Sequence, residues 1–211
     1  MPVPMITIER GPRKKVLTGN VILDDWHISS SNEQRDLRND VIDIVEKYGK
    51  GSAVVMADVV SLRNRKMDIS LLKELKTRKI EIWLITYVED ADDLFDAFYM
   101  NIDSLFVPYH VTLSDAALKE MNLVSDSTVP LIFTDGDLAL SRLGKVPLHD
   151  ILQRVEKMGF SSVAVMDISK TYNNELWTGL FAEYDRIIPF VRGDDAVASL
   201  ENLGFVNIVQ L

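Results

Sequence analysis

The sequence has 211 residues, of which 47% are hydrophobic and 26% charged, and its 23 basic and 32 acidic side chains give a formal charge of −9. These proportions are typical of a single globular domain. The chain has no cysteine, which excludes thiol nucleophiles, disulfides and cysteine-ligated metals. Its three histidines, His27, His110 and His149, match no familiar zinc motif. We therefore expect no metal and no other cofactor.

Charge and hydropathy also limit the partners. The apolar runs are too short to cross a bilayer, and the N-terminus lacks the features of a secretory signal. We therefore expect a cytoplasmic protein with no membrane partner. The acidic balance repels polyanions, and the two basic clusters at 13–15 and 63–66 are interpreted as solvated loops. No nucleic-acid partner is expected.

Eight short apolar runs alternate with segments of helical period along the chain. This alternation predicts an α/β fold with a parallel sheet. A further hairpin strand is predicted at 16–23, with Gly19-Asn20 as its turn. The eight predicted strands are 3–8, 52–59, 80–87, 103–109, 129–135, 162–168, 186–191 and 205–211.

Seven segments between these runs have helical periodicity. Ser31 and Gln34 form a candidate capping box before the first helix. Pro147 suits the first position of the fifth helix, and Gly159 suits its C-terminal cap. The predicted helices are approximately 37–48, 68–78, 90–100, 112–123, 148–158, 174–183 and 194–203.

The sequence also contains an internal repeat. The segment VEKYG at 45–49 recurs as VEKMG at 155–159, and SAVVMAD at 52–58 recurs as SSVAVMD at 161–167. Two halves of four strands each, approximately 1–125 and 126–211, predict one closed (βα)8 barrel, the TIM barrel, with a pseudo-two-fold axis. An open doubly wound sheet is the alternative, although the chain lacks the glycine-rich turn GxGxxG.

The length is short for this architecture. Eight βα units normally need about 250 residues, so we expect the eighth helix to be absent and the domain to span 1–211. Apolar residues at strand eight, such as Phe205, Ile208 and Val209, would then gain by burial. A homodimer is expected to cover this face, or else an N-terminal segment such as the 16–23 hairpin.

In such a barrel, the reactive side chains follow the C-terminal ends of the strands. Asp58, Asp135 and Asp167 stand at predicted strand ends, and carboxylates suit general acid/base chemistry. An aspartate after a buried strand can equally cap the next loop or helix. The candidate substrate-binding or anion-binding residues at other strand ends are His110, Thr134, Lys170, Arg192 and Gly193.

Trp26 and His27 follow the predicted hairpin. They could close the mouth of the barrel or cover a loop, and we favour the loop.

Three segments carry a resemblance to a known family. They are ITIERG at 6–11, ADV at 57–59 and MDISK at 166–170. Taken in the order of the strands that contain them, these segments resemble the histidine-biosynthesis half-barrel family, most closely its ProFAR isomerase branch. The resemblance implies an acid/base isomerisation of an aminoaldose to an aminoketose by two strand-end aspartates, with glycine-rich loops holding two phosphates.

The departures from that family pattern are specific. Thr7 stands in place of the first-strand aspartate and cannot act as a carboxylate, whereas Asp135 matches the second. The loops after strands three and four lack glycine, while Arg192-Gly193 keeps one anion site. We therefore expect a diverged member of the family. It is either an acid/base isomerase or lyase on a small phosphorylated sugar or nucleotide-like ligand, or a non-catalytic paralogue that serves in binding or assembly.

Overall fold

The computed structural model describes residues 1–75, 79–184 and 186–211. Fourteen strands are present in this part of the chain, and eight of them build a barrel. The strands are β1 (Val3–Arg10), β2 (Val16–Gly19), β3 (Val21–Asp24), β4 (His27–Ser30), β5 (Arg35–Asp36), β6 (Ala53–Asp58), β7 (Glu81–Ile85), β8 (Ser104–Pro108), β9 (Thr128–Asp135), β10 (Leu138–Ser141), β11 (Gly144–Pro147), β12 (Val163–Asp167), β13 (Ile187–Val191) and β14 (Val209–Gln210).

The barrel closes through β1. This strand pairs in parallel with β6 on one side and with β14 on the other. The order around the barrel is β1, β6, β7, β8, β9, β12, β13 and β14, and all neighbours are parallel. The prediction of a (βα)8 barrel of the TIM type is confirmed, and the open doubly wound alternative is wrong because the eight barrel strands form a closed ring.

Eight α-helices lie within the described ranges. They are α1 (Leu37–Tyr48), α2 (Val59–Asn64), α3 (Ile69–Glu74), α4 (Ala91–Tyr99), α5 (Asp115–Val124), α6 (Leu148–Lys157), α7 (Asn174–Glu183) and α8 (Asp194–Leu203). The helix predicted at 68–78 is α3, and residues 76–78 of that prediction lie outside the described residues. None of the eight helices has the length and apolar character needed to cross a bilayer.

The predicted helix count differs from the structure at one connection. Between β6 and β7 the chain forms two short helices, α2 and α3, where one was expected. Only Asp58, the N-cap of α2, separates the apolar run of β6 from Val59 and Val60 of the helix, so the strand and the helix are easily taken as one apolar segment. The absence of an eighth connecting helix stays a prediction.

Both halves of the barrel begin in the same way. β1 is followed by the antiparallel strand β2, and β9 is followed by the antiparallel strand β10. In each half a helix follows after further short strands, α1 after β3 to β5 and α6 after β11. Each half also supplies four barrel strands, as the repeat predicts.

The hairpin predicted at 16–23 forms two strands, but these strands do not pair with each other. β2 pairs with β1, but β3 pairs with β4 in a separate two-stranded sheet. The capping box is wrong, because Asp36 caps α1 by accepting a hydrogen bond from the backbone N–H of Arg38. Gln34 instead donates to Glu9.

The ends of α6 are close to the prediction. Pro147 occupies the N-cap, one residue before the expected position. Gly159 follows the C-cap with φ of +83°, a conformation that favours glycine.

Side chains of the barrel strands separate into two apolar clusters. The interior cluster takes every second residue of each strand, such as Val55 and Ala57 from β6, and Ala164 and Met166 from β12. The outer cluster takes residues of the opposite parity and packs them against the helices. Because side chains along a strand alternate between its faces, this division tells which face any strand residue occupies.

Strand eight is covered from within the chain. Phe205, Ile208 and Val209 are all buried. The Phe205 ring packs edge-on against the rings of Trp177 and Phe181 in α7, with centroids 6.0 Å and 5.0 Å away. Residues of α7 therefore cover this face, which was expected to need a dimer or the 16–23 hairpin to cover it, and the homodimer itself stays a prediction.

The packing of the interior cluster can be tested by replacing one of its aromatic residues. Phe190 is fully buried and packs edge-to-face on Phe106, with the ring centroids 5.5 Å apart. Phe190→Ala should lower the free energy of unfolding by about 3–5 kcal/mol, measured by urea denaturation. Leu143→Ala is the control, since Leu143 is 99% exposed and should change stability by less than about 0.5 kcal/mol. Equal effects in the two variants would contradict the packing described.

Candidate functional site

The β3–β4 hairpin lies across the C-terminal mouth of the barrel. Trp26, at its turn, and Ile28 are buried within the same cluster as the barrel interior. The Lys145 amine of β11 stands 4.9 Å from the centroid of the Trp26 ring. Across the mouth, the Arg192 guanidinium after β13 donates to the carbonyl of Leu23 at 3.4 Å. Trp26 therefore closes the mouth, and the interpretation that it only covers a loop is wrong.

The hairpin turn has an uncommon backbone. Its two central residues, Asp25 and Trp26, have φ of 41° and 67°, as a two-residue turn of type I′ requires. Glycine or asparagine normally occupies such positions, because side chains make positive φ unfavourable. A tryptophan is retained here in the conformation that places its ring over the barrel interior.

A cavity of about 590 Å³ remains beside the hairpin, and we call it the mouth pocket. It opens between the hairpin and the C-terminal ends of β1, β6, β8 and β9. Its walls combine two aromatic rings, two imidazoles, a carboxylate and two guanidinium groups. These come from Trp26, Phe133, His27, His110, Glu9, Arg63 and Arg65.

His110 lines this pocket and has one ring nitrogen that is buried without a hydrogen-bond partner among the described residues. The residue lies in a 3-10 turn directly after β8, and its ring packs edge-on against Phe133 with centroids 5.0 Å apart. Its Nδ1 is buried and forms no hydrogen bond with any described residue. Burial lowers the pKa of His110 from 6.5 to about 4, with further lowering by the charges of His27 and Arg65. The imidazole is therefore neutral at pH 7, and it can hydrogen-bond a bound molecule.

Glu9 supplies the carboxylate of the mouth pocket. It follows the interior parity of β1, two residues beyond Thr7, and lines the cavity. The Gln34 side chain donates to its carboxylate, which fixes the orientation of the group. Thr7 itself is fully buried, where its hydroxyl donates to the Gly19 carbonyl at 2.9 Å and lies 2.7 Å from the Ser30 hydroxyl. Thr7 thus joins β1 to its neighbours.

Two arginines make the pocket cationic. Arg63 lies in the last turn of α2, and Arg65 is the C-cap residue with φ of 49°. Within the described ranges, neither guanidinium forms a salt bridge. Their positive charge is available to an anion, so the interpretation of 63–66 as a merely solvated loop misses this wall of the pocket.

Two of the predicted catalytic aspartates face the helices. Asp58 and Asp167 have the outer parity, since their neighbours Ala57 and Met166 point into the barrel. Asp58 is fully buried, and its carboxylate accepts from the backbone N–H of Ser61 at 3.0 Å and from the Ser61 hydroxyl at 2.5 Å. Burial raises its pKa, opposed by these hydrogen bonds. Asp58 therefore caps α2.

Asp167 and Thr134 have similar local hydrogen bonds. The Asp167 carboxylate accepts from the backbone N–H of Ser169 at 2.9 Å. The buried Thr134 hydroxyl lies 2.6 Å from the Gly136 carbonyl and 2.9 Å from that of Leu138, where it stabilises the turn into β10. Both side chains are thus engaged in the loops that follow their strands.

The remaining predicted residues do not share one cavity. Asp167, Lys170 and Arg192 line a small cavity of about 30 Å³, which is the space of roughly one water molecule. Asp135 has the interior parity but is exposed at the rim, and it lines neither this cavity nor the mouth pocket. Of the predicted site residues, His110 alone lines the mouth pocket.

Gly193 stands where a glycine is needed. It is the N-cap of α8 with φ of +81°, and that angle rather than close packing requires glycine, since an added Cβ would have nothing within 4 Å. The described residues contain no group of three or more histidine or acidic side chains placed to hold a metal ion.

Fold and site together define an α/β barrel of the TIM type with a ligand-sized pocket at its C-terminal mouth. A comparison of the chain with protein-family models and a comparison with curated proteins give no match.

The neutral state of His110 can be tested through stability. In the unfolded chain His110 takes up a proton near pH 6.5, whereas in the folded protein it does so near pH 4. The unfolded state therefore binds more protons between these values, and stability should fall as the pH drops through this window, by up to about 3 kcal/mol. His110→Asn should remove this part of the pH dependence in urea denaturation at pH 7 and pH 4. The same loss in both proteins would contradict the buried neutral imidazole.

Proposed function

We propose that this protein binds a small phosphorylated molecule, of the sugar phosphate or nucleotide-like class, in the mouth pocket. The single observation that carries the proposal is that Arg63 and Arg65, which form no salt bridge within the described residues, line the same pocket as His110, whose buried Nδ1 has no hydrogen-bond partner among those residues. A volume of about 590 Å³ lies in the range of small-molecule sites. The C-terminal mouth is also where barrels of this type place their sites.

The pocket carries groups suited to proton transfer. Glu9 is a carboxylate held by Gln34, and His110 is a neutral imidazole. In an aldose–ketose isomerisation, a base moves a proton between adjacent carbons while a donor stabilises charge on the carbonyl oxygen. We assign Glu9 the first role and His110 the second. This keeps the reaction class implied by the resemblance, an acid/base isomerase or lyase, but places it on different residues.

The resemblance to the histidine-biosynthesis barrels supports the proposal at the level of substrate class. The ProFAR isomerisation itself is not proposed, because Thr7, which stands in place of the first-strand aspartate, is not a carboxylate and lies buried in a hydrogen-bond network. The roles of Asp58, Asp135 and Asp167 as acid or base, and of Thr134, Lys170, Arg192 and Gly193 in substrate binding, stay predictions. The cytoplasmic location stays a prediction as well.

A non-catalytic binding protein is the second candidate. It is favoured by the hairpin, which fills the centre of the mouth with Trp26. A substrate must therefore sit beside the barrel axis, where fewer strand ends reach it. Binding of the same phosphorylated ligand without turnover would distinguish this candidate from the first.

Ligand binding should be visible as thermal stabilisation. A ligand present at ten times its Kd stabilises the folded state by about 1.4 kcal/mol, which corresponds to a rise in Tm of about 3–5 °C. We expect millimolar ribose 5-phosphate to produce this rise, and unphosphorylated ribose to produce none. Arg63→Gln/Arg65→Gln should abolish the rise.

The matched control is Lys119→Gln/Lys157→Gln, which removes the same charge from two exposed positions that line neither the mouth pocket nor any other described cavity. This variant should retain the rise in Tm. Absence of any rise in the wild type with ribose 5-phosphate or inorganic phosphate would contradict the proposal, as would an equal loss in both double variants.

Catalysis has a separate readout. If Glu9 moves a proton between carbons, ribose 5-phosphate incubated with the protein in D2O should incorporate deuterium at C2, detected by NMR. Glu9→Gln should keep the rise in Tm and lose the exchange, because the amide is close in shape but is not a base. Binding without deuterium incorporation in the wild type would exclude the isomerase and leave the binding protein.

A further inference from the structure

The exposed face of α4 is both acidic and aromatic. Asp92, Phe95, Asp96 and Tyr99 recur at spacings of three and four residues, so they share one side of the helix. All four are exposed, Phe95 by 59% and Tyr99 by 79%. Large aromatic side chains are unusual on a free surface, and here they alternate with two carboxylates. We call this the acidic face.

A basic groove lies on the outside of the same part of the barrel. It is a cavity of about 780 Å³ lined by the loop after β1, the start of α1, Glu74 and Lys79. Its rim carries Arg13, Lys14, Arg38 and Lys79. Within the described part of the chain, none of these four side chains forms a salt bridge. The chain as a whole has a net charge of −9, so this cluster of four cations is opposite in sign to the rest of the protein.

The floor of the groove is apolar. Val16, Val41 and Ile42 line it, and Ile42 is 50% exposed. On its rim, Arg13 and Lys14 have φ of 56° and 61°. Two consecutive non-glycine residues in the left-handed region are a strained arrangement that concentrates at binding surfaces.

The acidic face and the basic groove are complementary in charge and in apolar character. Aromatic rings match the apolar floor, and carboxylates match the cationic rim. The two surfaces cannot meet within one molecule, since α3 lies between them and packs against α4. We propose that a second copy of this chain occupies the groove, with the acidic face of each copy seated in the basic groove of the other.

The positions of the two surfaces suit a closed dimer. Because the two surfaces lie on either side of α3, a two-fold axis near α3 places the α4 helix of each copy against the groove of the other. Such an isologous contact uses both surfaces twice and leaves neither free to build a filament. Each aromatic side chain can bury about 150–250 Å², so two copies of Phe95 and Tyr99 supply a large part of the roughly 1,200 Å² that a specific interface needs.

This dimer is independent of the function proposed for the mouth pocket. It also differs from the dimer expected at strand eight, whose apolar residues are already buried.

Charge reversal tests the pairing. The wild type, studied by size exclusion with light scattering from micromolar to near-millimolar concentration, should approach twice its mass of 23.9 kDa. Asp92→Lys/Asp96→Lys reverses the acidic face, and Lys14→Glu/Arg38→Glu reverses the groove. Each variant alone should have a dimer Kd at least about 100-fold higher, because like charges then face each other twice.

An equimolar mixture of the two variants should dimerise again. In the mixed pair, the basic groove of one variant meets the acidic face of the other, and the acidic groove meets the basic face. The control variant, Asp150→Lys/Glu156→Lys, reverses two exposed acids on α6 and should dimerise as the wild type does. Circular dichroism verifies that every variant is folded.

Three results would overturn the proposal. They are a wild type that stays at 23.9 kDa over the whole concentration range, a dimer that survives both reversals, and a mixture that stays monomeric while its components are folded. Tyr99→Lys gives a second route to the same answer, since Tyr99 is largely exposed and its replacement should weaken the dimer without unfolding the chain.

Discussion

Side-chain alternation along the closed barrel is the constraint on which the rest of this structure depends. Closure obliges every second strand residue to fill the interior, and the residues between them to face the helices. Ala57 and Met166 point inward, so Asp58 and Asp167 point outward. Glu9, with the interior parity of β1, reaches the mouth instead. A difference of one residue in strand position therefore separates a helix cap from a site residue.

The filled interior also determines the role of the β3–β4 hairpin. An apolar interior that opens on its C-terminal side exposes hydrophobic surface to water, and Trp26 covers that surface. The uncommon turn and the Lys145 amine position the ring, and Arg192 holds the hairpin by donating to the Leu23 carbonyl. The hairpin displaces the possible site from the barrel axis to the side pocket, where Glu9, His110 and the two arginines meet. The same element thus stabilises the barrel and shapes the pocket.

Most of the barrel follows from local patterns in the sequence. All eight barrel strands coincide with predicted apolar runs, because buried parallel strands need continuous apolar segments. The α2 helix was missed because only Asp58 separates the apolar run of β6 from Val59 and Val60, with no glycine or proline between them. The β3–β4 hairpin was missed because its turn, Asp25-Trp26, lacks the glycine that normally marks such a turn.

The site was harder to predict than the fold. The C-terminal ends of the barrel strands lie within two residues of their predicted positions. The parity of each strand decides which end residues reach the mouth, so an error of one residue in a predicted strand end is enough to misplace a site residue. Arg63 and Arg65 belong to the pocket only because α2 folds back over the mouth, a tertiary contact with no local signature. His110 was found because it directly follows β8.

Trp26 closes the barrel and creates the mouth pocket beside it. Hydrogen–deuterium exchange of the backbone amides at 21–30, compared between the wild type and Trp26→Ala, tests this claim most directly. We expect slow exchange in the wild type and fast exchange in the variant, while the amides of the barrel strands β6 to β9 stay protected in both. Fast exchange at 21–30 in the wild type would contradict the account, because the hairpin would then not be held on the mouth.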